Sequence, residues 1–284
     1  MTSLASSAAV PVLDHVVTDV RDRMDEAVEI YRGLGFQMTP RGKHTLGSIN
    51  HLAIFADNYF ELLGFEKGTT QVRADIMRYP IGLNGLVFQS DDSAATYEAM
   101  TRNGVPIEQP LEFYRPVEVG NGRQENARFR VVRLPAGSLS GGRLYFCHHF
   151  TKQLVWRDEW RAHPNGARNV ACVTLAAPDP KRPAALFRRM FGDAAMREDA
   201  DGATLAMANA RVEIVTPAAV RQRFGDAAPD PADRSEYLAA LTIATSSLAR
   251  AAQVLAGRSG VRQNAGGITV DAAQAFNVTL QFVE

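Results

Sequence analysis

Leu13-Asp14-His15-Val16-Val17-Thr18-Asp19-Val20 alternates like a strand and runs out among acidic residues, and the residues that follow it complete one structural unit. Met24, Ala27, Val28, Tyr31 and Leu34 then recur at helical spacing, and Gly35 is placed to end that helix in the left-handed conformation glycine tolerates. Three short apolar runs follow, Gln37 to Thr39, Ile49 to Phe55 and Tyr59 to Phe65, parted by Pro40-Arg41-Gly42 and Asp57-Asn58. From Leu13 to Glu66 the chain therefore reads as βαβββ.

The unit recurs. A residue able to cap a helix precedes a glycine by 13 positions four times, at Asp22 and Gly35, Asp91 and Gly104, Asp179 and Gly192, and Ser247 and Gly260. Strand-like runs precede three of these pairs, at Leu86 to Phe88, Val170 to Leu175 and Leu238 to Ala244. The glycines are 69, 88 and 68 residues apart, so two near-equal steps flank a longer one. That pattern predicts an α+β protein of four βαβββ units paired into two domains. The first domain is expected over 11–153, a connector holding both tryptophans, Trp156 and Trp160, over 154–167, and the second domain over 168–284. Tryptophans bury readily, so the connector is expected to pack one half against the other. Val117 to Glu125 reads as a charged loop interrupting the second unit, at the mouth of any cavity.

Composition narrows the function classes. The 284 residues suffice for two ordinary domains with their own cores. Thirty-one basic and 31 acidic residues cancel, which gives nucleic acid or an anionic membrane no broad electrostatic hold. Cys147 and Cys172 form neither a CxxC nor a disulfide framework, as expected in a reducing compartment. Residues 1–10 read as a loose polar tail without the basic and apolar parts of a signal peptide. No run approaches the roughly 20 apolar residues of a membrane span. The expectation is a cytoplasmic protein with a small-molecule substrate, and a homodimer is compatible with the neutral charge.

Certain motifs carry a family resemblance. Leu13-Asp14-His15, Gly42-Lys43-His44 and Tyr59-Phe60-Glu61-Leu62 resemble the glyoxalase-like branch of the vicinal oxygen chelate superfamily, as do Phe146-Cys147-His148-His149 and His163-Pro164-Asn165-Gly166. In that superfamily paired βαβββ units curl into a funnel around a divalent metal held by first and last strands. The resemblance thus implies His15 and Glu61 as metal ligands, for zinc, iron, manganese or nickel. Imidazole and carboxylate suit such ions chemically.

The chain also departs from the pattern. Seven residues before each later helix signal stand Asn84 (Gly85 if slipped by one), Cys172 and Ala240, so the second histidine of a two-His, one-carboxylate site is missing. That argues against a ring-cleaving extradiol dioxygenase. His149, on the closing strand of the second unit, is the candidate third ligand; Cys147 shares its strand face and His148 points the other way. Asn50, Asn84 and Cys147 are candidate substrate contacts, while Glu61 and His44 are the candidate catalytic residues, His44 being of a type whose pKa suits proton transfer. Each has a plainer reading: His15 as a hydrogen-bonded strand histidine, Glu61 as the partner of an arginine, His44 as a surface or substrate-contacting residue, and His51 and His163 as structural. The function expected is metal-assisted proton abstraction on a small oxygenated metabolite, by an isomerase, lyase or hydrolase. The alternative is a binding or drug-sequestration protein of the same fold. Cys172 and Glu213 hold the corresponding places in the second half, which reads as structural.

Overall fold

The computed structural model describes residues 10–284, so all but the last residue of the expected N-terminal tail lies outside it. The first half contains β1 (Leu13–Arg21), α1 (Met24–Gly33), β2 (Gly42–Lys43), β3 (Ile49–Ile54), β4 (Tyr59–Gly64), the short α2 (Ala74–Met77), β5 (Gly82–Gln89), α3 (Ser93–Arg102), β6 (Leu111–Glu118), β7 (Gln124–Arg133) and β8 (Arg143–His149). Its eight strands form one sheet in the order β2-β3-β4-β1-β5-β8-β7-β6. The second half repeats this with β9 (Ala167–Ala176), α4 (Lys181–Phe191), β10 (Met196–Glu198), β11 (Gly202–Ala206), β12 (Arg211–Val215), α5 (Pro217–Phe224), β13 (Tyr237–Thr245), α6 (Leu248–Leu255), β14 (Val261–Asn264), β15 (Gly267–Val270) and β16 (Thr279–Val283). Its order, β10-β11-β12-β9-β13-β16-β15-β14, is the same topology. In each half the first strands of two βαβββ units pair antiparallel at the centre, β1 with β5 and β9 with β13.

Helix punctuation differs in detail from the regular interval. Asp92, one residue later than expected, caps α3 by accepting from the amides of Ala94 and Ala95, while Ser247 caps α6 through Arg250 N. Such a cap stabilises a helix by about 1 kcal/mol. Asp22 caps nothing: the chain turns at Arg21, whose φ is 53°, and α1 starts without a side-chain cap. Gly35 and Gly104 do close their helices as expected. Phe36 N reaches Tyr31 O while Gly35 N reaches Arg32 O, and Val105 and Gly104 repeat the pattern on Met100 and Thr101. This Schellman arrangement needs a positive φ at the glycine, here 85° and 67°. Gly260 instead lies five residues beyond the end of α6, at the turn into β14.

Two other local expectations are corrected. Gln37 to Thr39 forms no strand, because Gln37 N is taken by His163 Nδ1 and only Thr39 pairs with Leu52; β2 forms at Gly42 instead. Val117 to Glu125 does not interrupt the unit. It is the tip of the β6–β7 hairpin, paired from Leu111↔Val131 out to Glu118↔Gln124 around a turn with Gly120 and Gly122 at positive φ.

Strand alternation divides the apolar residues between two layers. Val16, Phe60, Leu86 and Phe88 face the helices and belong to one core that runs through both halves. There Phe88 packs against Phe187 and Phe191 of α4, Phe36 against Phe282, and Tyr31 Oη donates to Ala275 O at 3.1 Å. Each such aromatic ring taken from water contributes about 1.5–3 kcal/mol. The opposite, concave face of the first sheet carries its own cluster, including Val17, Leu63, Val87 and Phe129. Trp156 and Trp160 join that concave cluster, so the tryptophans cover the first sheet and do not hold the halves together. Their neighbours fix the connector to the first half, His163 Nε2 lying 2.9 Å from Ile54 O and Asn165 donating to Leu34 O, while Asn58 Nδ2 donates to Val170 O across the halves.

Candidate active site

His15 pairs across the sheet with Tyr59 on β4 and Val87 on β5, and directly paired residues share a face. The alternation therefore brings His15, Tyr59, Glu61, Tyr145 and Cys147 to the concave side, where they line a cavity of about 100 Å3 together with His44 and Asn50. His15 is held flat against Tyr59, with ring centroids 4.3 Å apart and 11° between planes.

Asp14 should face the other way. It does not, because the β1–β5 register shifts between Leu13 and His15 and leaves Asp14 as the extra residue of a bulge. Its Oδ1 receives His15 Nδ1 at 2.5 Å and His149 Nε2 at 3.0 Å. Burial pushes the Asp14 carboxyl upward, but the two imidazoles outweigh it and hold the group well below the usual carboxylate range. With Nδ1 directed at Asp14, His15 turns its other ring nitrogen, Nε2, toward the cavity. Nε2 lies 3.3 Å from Tyr145 Oη and 3.7 Å from Glu61 Oε2.

Glu61 is 5% exposed and bonded to no arginine. Its Oε1 accepts from Asn50 Nδ2 at 2.6 Å, and the same amide stands 3.2 Å from His44 Nε2. Burial, reinforced by the charges of Arg115 and Arg73, keeps His44 well below its ordinary pKa and so neutral at pH 7. Cys147 is buried among carboxylates, which drives its thiol pKa up and keeps it protonated. Gly42 is required by the same wall: a Cβ there would come within 2.2 Å of Asn50 Oδ1 and 2.8 Å of Arg115 Cδ.

Of the residues singled out in the sequence, His15, His44, Asn50, Glu61 and Cys147 converge on the cavity. His149 shares Asp14 with His15 but lines a second recess with Ser90, His148 and Lys152. Asn84 sits in the bulge of β5 behind the cavity wall, where its Oδ1 accepts from Arg143. On β5 the residue that shares a face with His15 is Gly85, and a Cβ at that position would lie 2.6 Å from Val17 Cβ. A second histidine there would collide with β1.

Three residues at the site had no role assigned from sequence. Tyr145 was signalled, since it precedes Cys147 and His149 by two and four positions on one strand face. Asp14 was hidden by the bulge, and Arg115 lies in a run of mixed polarity without a motif. Asp14, His15 and His149 have ligand atoms within 4.8 Å of one another, a cluster able to hold a metal ion.

The corresponding place in the second half is closed. Glu213 there is gripped by Arg211 and Arg223, each at 2.8 Å, and α5 lays Val220 and Phe224 over the sheet beside Tyr237. Cys172 replaces the histidine, with its thiol pushed up to about 12 by burial.

Paired βαβββ units, with a histidine of the first strand and a carboxylate of the last meeting on the concave face, define a protein of the vicinal oxygen chelate superfamily. More specifically, the chain belongs to the glyoxalase-like domain family, whose model matches residues 13–191. No curated protein matches it significantly. Among solved structures it is similar to a hypothetical protein from Staphylococcus aureus, with 12% identity and TM-score 0.62 over 96% of this chain and 100% of that one. It is similar also to a mutant of 4-hydroxymandelate synthase from Streptomyces coelicolor, with 11% identity and TM-score 0.59 over 96% and 92% of the two chains. A fusion of a xylose isomerase-like TIM barrel with 4-hydroxyphenylpyruvate dioxygenase matches at 14% identity and TM-score 0.56, over 97% of this chain and 49% of that one. At these identities the likeness is one of fold. Among the described residues no helix is long and apolar enough to cross a membrane.

Proposed function

We propose that the protein is a glyoxalase-like metalloenzyme that acts on a small oxygenated metabolite by metal-assisted proton abstraction, as an isomerase, lyase or hydrolase. His15 and Glu61 would hold the divalent ion, which is zinc, iron, manganese or nickel. The observation that carries this reading is the approach of His15 Nε2 to Glu61 Oε2, 3.7 Å apart on a cavity wall with no guanidinium on the carboxylate. An imidazole nitrogen and a carboxylate oxygen facing one cavity are the donor types these ions take.

The remaining chemistry belongs to the chain. Asp14 fixes the His15 tautomer and orientation, the role carboxylates play behind metal-binding imidazoles. Asn50 ties one oxygen of Glu61, leaving the other toward the cavity, and sets His44 beside it. Glu61 and neutral His44 are thus the two basic groups near a bound substrate. A bound ion would polarise a substrate oxygen and acidify the neighbouring C–H. Tyr145 Oη, 3.3 Å from His15 Nε2, offers a further oxygen at the same point.

Elemental analysis of protein purified without chelator tests the reading. About one equivalent of metal is expected, lost in the His15→Ala, Glu61→Ala double variant. Undiminished metal in that variant, or failure of wild type to bind any of the four ions, would reject it. Proton exchange from α-hydroxy carbonyl compounds in D2O, followed by NMR, then reads the chemistry. The second reading, a non-catalytic binding protein, draws on the stacked Phe113 and Phe129 of the cavity wall, 5.2 Å apart. Metal-free protein that still takes up a hydrophobic dye would favour it.

A further inference from the structure

Arg115 is 4% exposed, and among the described residues its guanidinium makes neither a hydrogen bond nor an ion pair. Its Nη2 is fully buried without a partner. The other arginines of the cavity are all engaged: Arg73 bonds Asp75 at 2.6 Å, Arg133 approaches the same carboxylate at 3.7 Å, and Arg143 donates to Asn84 at 2.9 Å. A buried charge without a counter-group costs stability, and a guanidinium does not escape by releasing its proton. Burial does pull its pKa down, while Tyr59 and Glu61 nearby act against that shift. Its stem passes close over Gly42, where a Cβ would lie 2.8 Å from Arg115 Cδ. Phe113 and Phe129 stand on the same face of β6 and β7 two positions from Arg115 and its partner Ala127, and supply an apolar wall beside it.

We infer that Arg115 is the anchor for a monoanionic carboxylate on the substrate, whose apolar body lies along Phe113 and Phe129 and whose oxygenated carbon is thereby presented to His15 and Glu61. The inference rests on the metalloenzyme reading only for that last placement. A planar fork of N–H donors matches a carboxylate edge to edge, and a buried site strengthens the match. The charged groups lining the cavity, Arg73, Arg115, Arg133 and Arg143 against Glu61, Asp75 and Glu108, leave one positive charge, which a single negative charge balances. A phosphate dianion would leave charge uncompensated.

Calorimetric titration of the zinc-loaded protein with phenylacetate, phenylacetamide and inorganic phosphate tests this. Phenylacetate is expected to bind, and the uncharged amide to bind about 10–100-fold more weakly, the value of a hydrogen bond to a charged group. Arg115→Gln should reduce phenylacetate to the level of the amide, with Arg115→Lys between the two. Because the guanidinium has no partner among the described residues, Arg115→Gln should melt at or above the wild-type temperature. Equal affinity for acid and amide in wild type, tighter binding of phosphate, unchanged binding in Arg115→Gln, or a melting point lowered by many degrees would each overturn the inference. Repeating the titrations in His15→Ala separates the two proposals. Discrimination of acid from amide that survives there belongs to Arg115 whether or not a metal binds. Binding lost in His15→Ala yet kept in Arg115→Gln would put the carboxylate on the ion, ending this inference and leaving the metalloenzyme reading intact.

Discussion

Asp14 and His15 are consecutive residues of one strand, yet Asp14 Oδ1 lies 2.5 Å from His15 Nδ1. In a regular ladder their side chains would project to opposite faces. The bulge in β1 turns the carboxylate edgewise, so that one oxygen serves both His15 and His149.

On the metalloenzyme proposal, Asp14→Asn should therefore weaken metal binding at His15 and Glu61. The amide cannot hold the imidazole as an ionised carboxylate does, and loss of such a supporting partner lowers metal affinity by about 10–100-fold. Competition titration with a chromophoric chelator measures it. An affinity equal to wild type would separate Asp14 from the site.

Glu61→Gln should abolish stoichiometric metal binding while leaving the fold as stable as before or more so. The carbonyl oxygen of the introduced amide can still accept from Asn50, and a buried charge is removed. Metal content and thermal melting, taken on the same preparation, check both halves of the expectation.

The second half supplies a control. Glu213→Gln breaks its contacts with Arg211 and Arg223 and should lower the melting temperature by a few degrees at most, with metal stoichiometry unchanged. Loss of metal in this variant would mean that the second half carries a site of its own.

Asp19 governs a distinct pH dependence. Burial, opposed by the Arg21 amide and guanidinium, raises its carboxyl to about 6 from an ordinary value of 3.8. The folded chain binds this proton more tightly than the unfolded one. Its stabilising effect is thus complete below about pH 4 and is lost as pH rises through 6. Asp19→Asn should remove up to about 3 kcal/mol of that decline, so denaturant melts at pH 4 and pH 7 should differ less in the variant than in wild type. An identical pH difference in the two proteins would refute the assignment.

The chain's periodicities determined the architecture by themselves. Alternation at 13–20, helical spacing at 24–34 and the closing glycines at 35 and 104 are local features, and local sterics give them the same meaning in any context. The pairing of His15 with Glu61 was legible only through the family resemblance of the motifs that carry them, Leu13-Asp14-His15 and Tyr59-Phe60-Glu61-Leu62. What only the tertiary structure decided was set by contacts between segments far apart in the chain. A bulge relative to β5 turned Asp14 inward, the collision with Val17 kept a side chain off position 85, Trp156 settled on the concave sheet, and Arg115 reached the cavity over Gly42 without a partner. A strand's own sequence fixes which residues alternate, but not where its register slips against a neighbour or which distant side chain leaves room beside it.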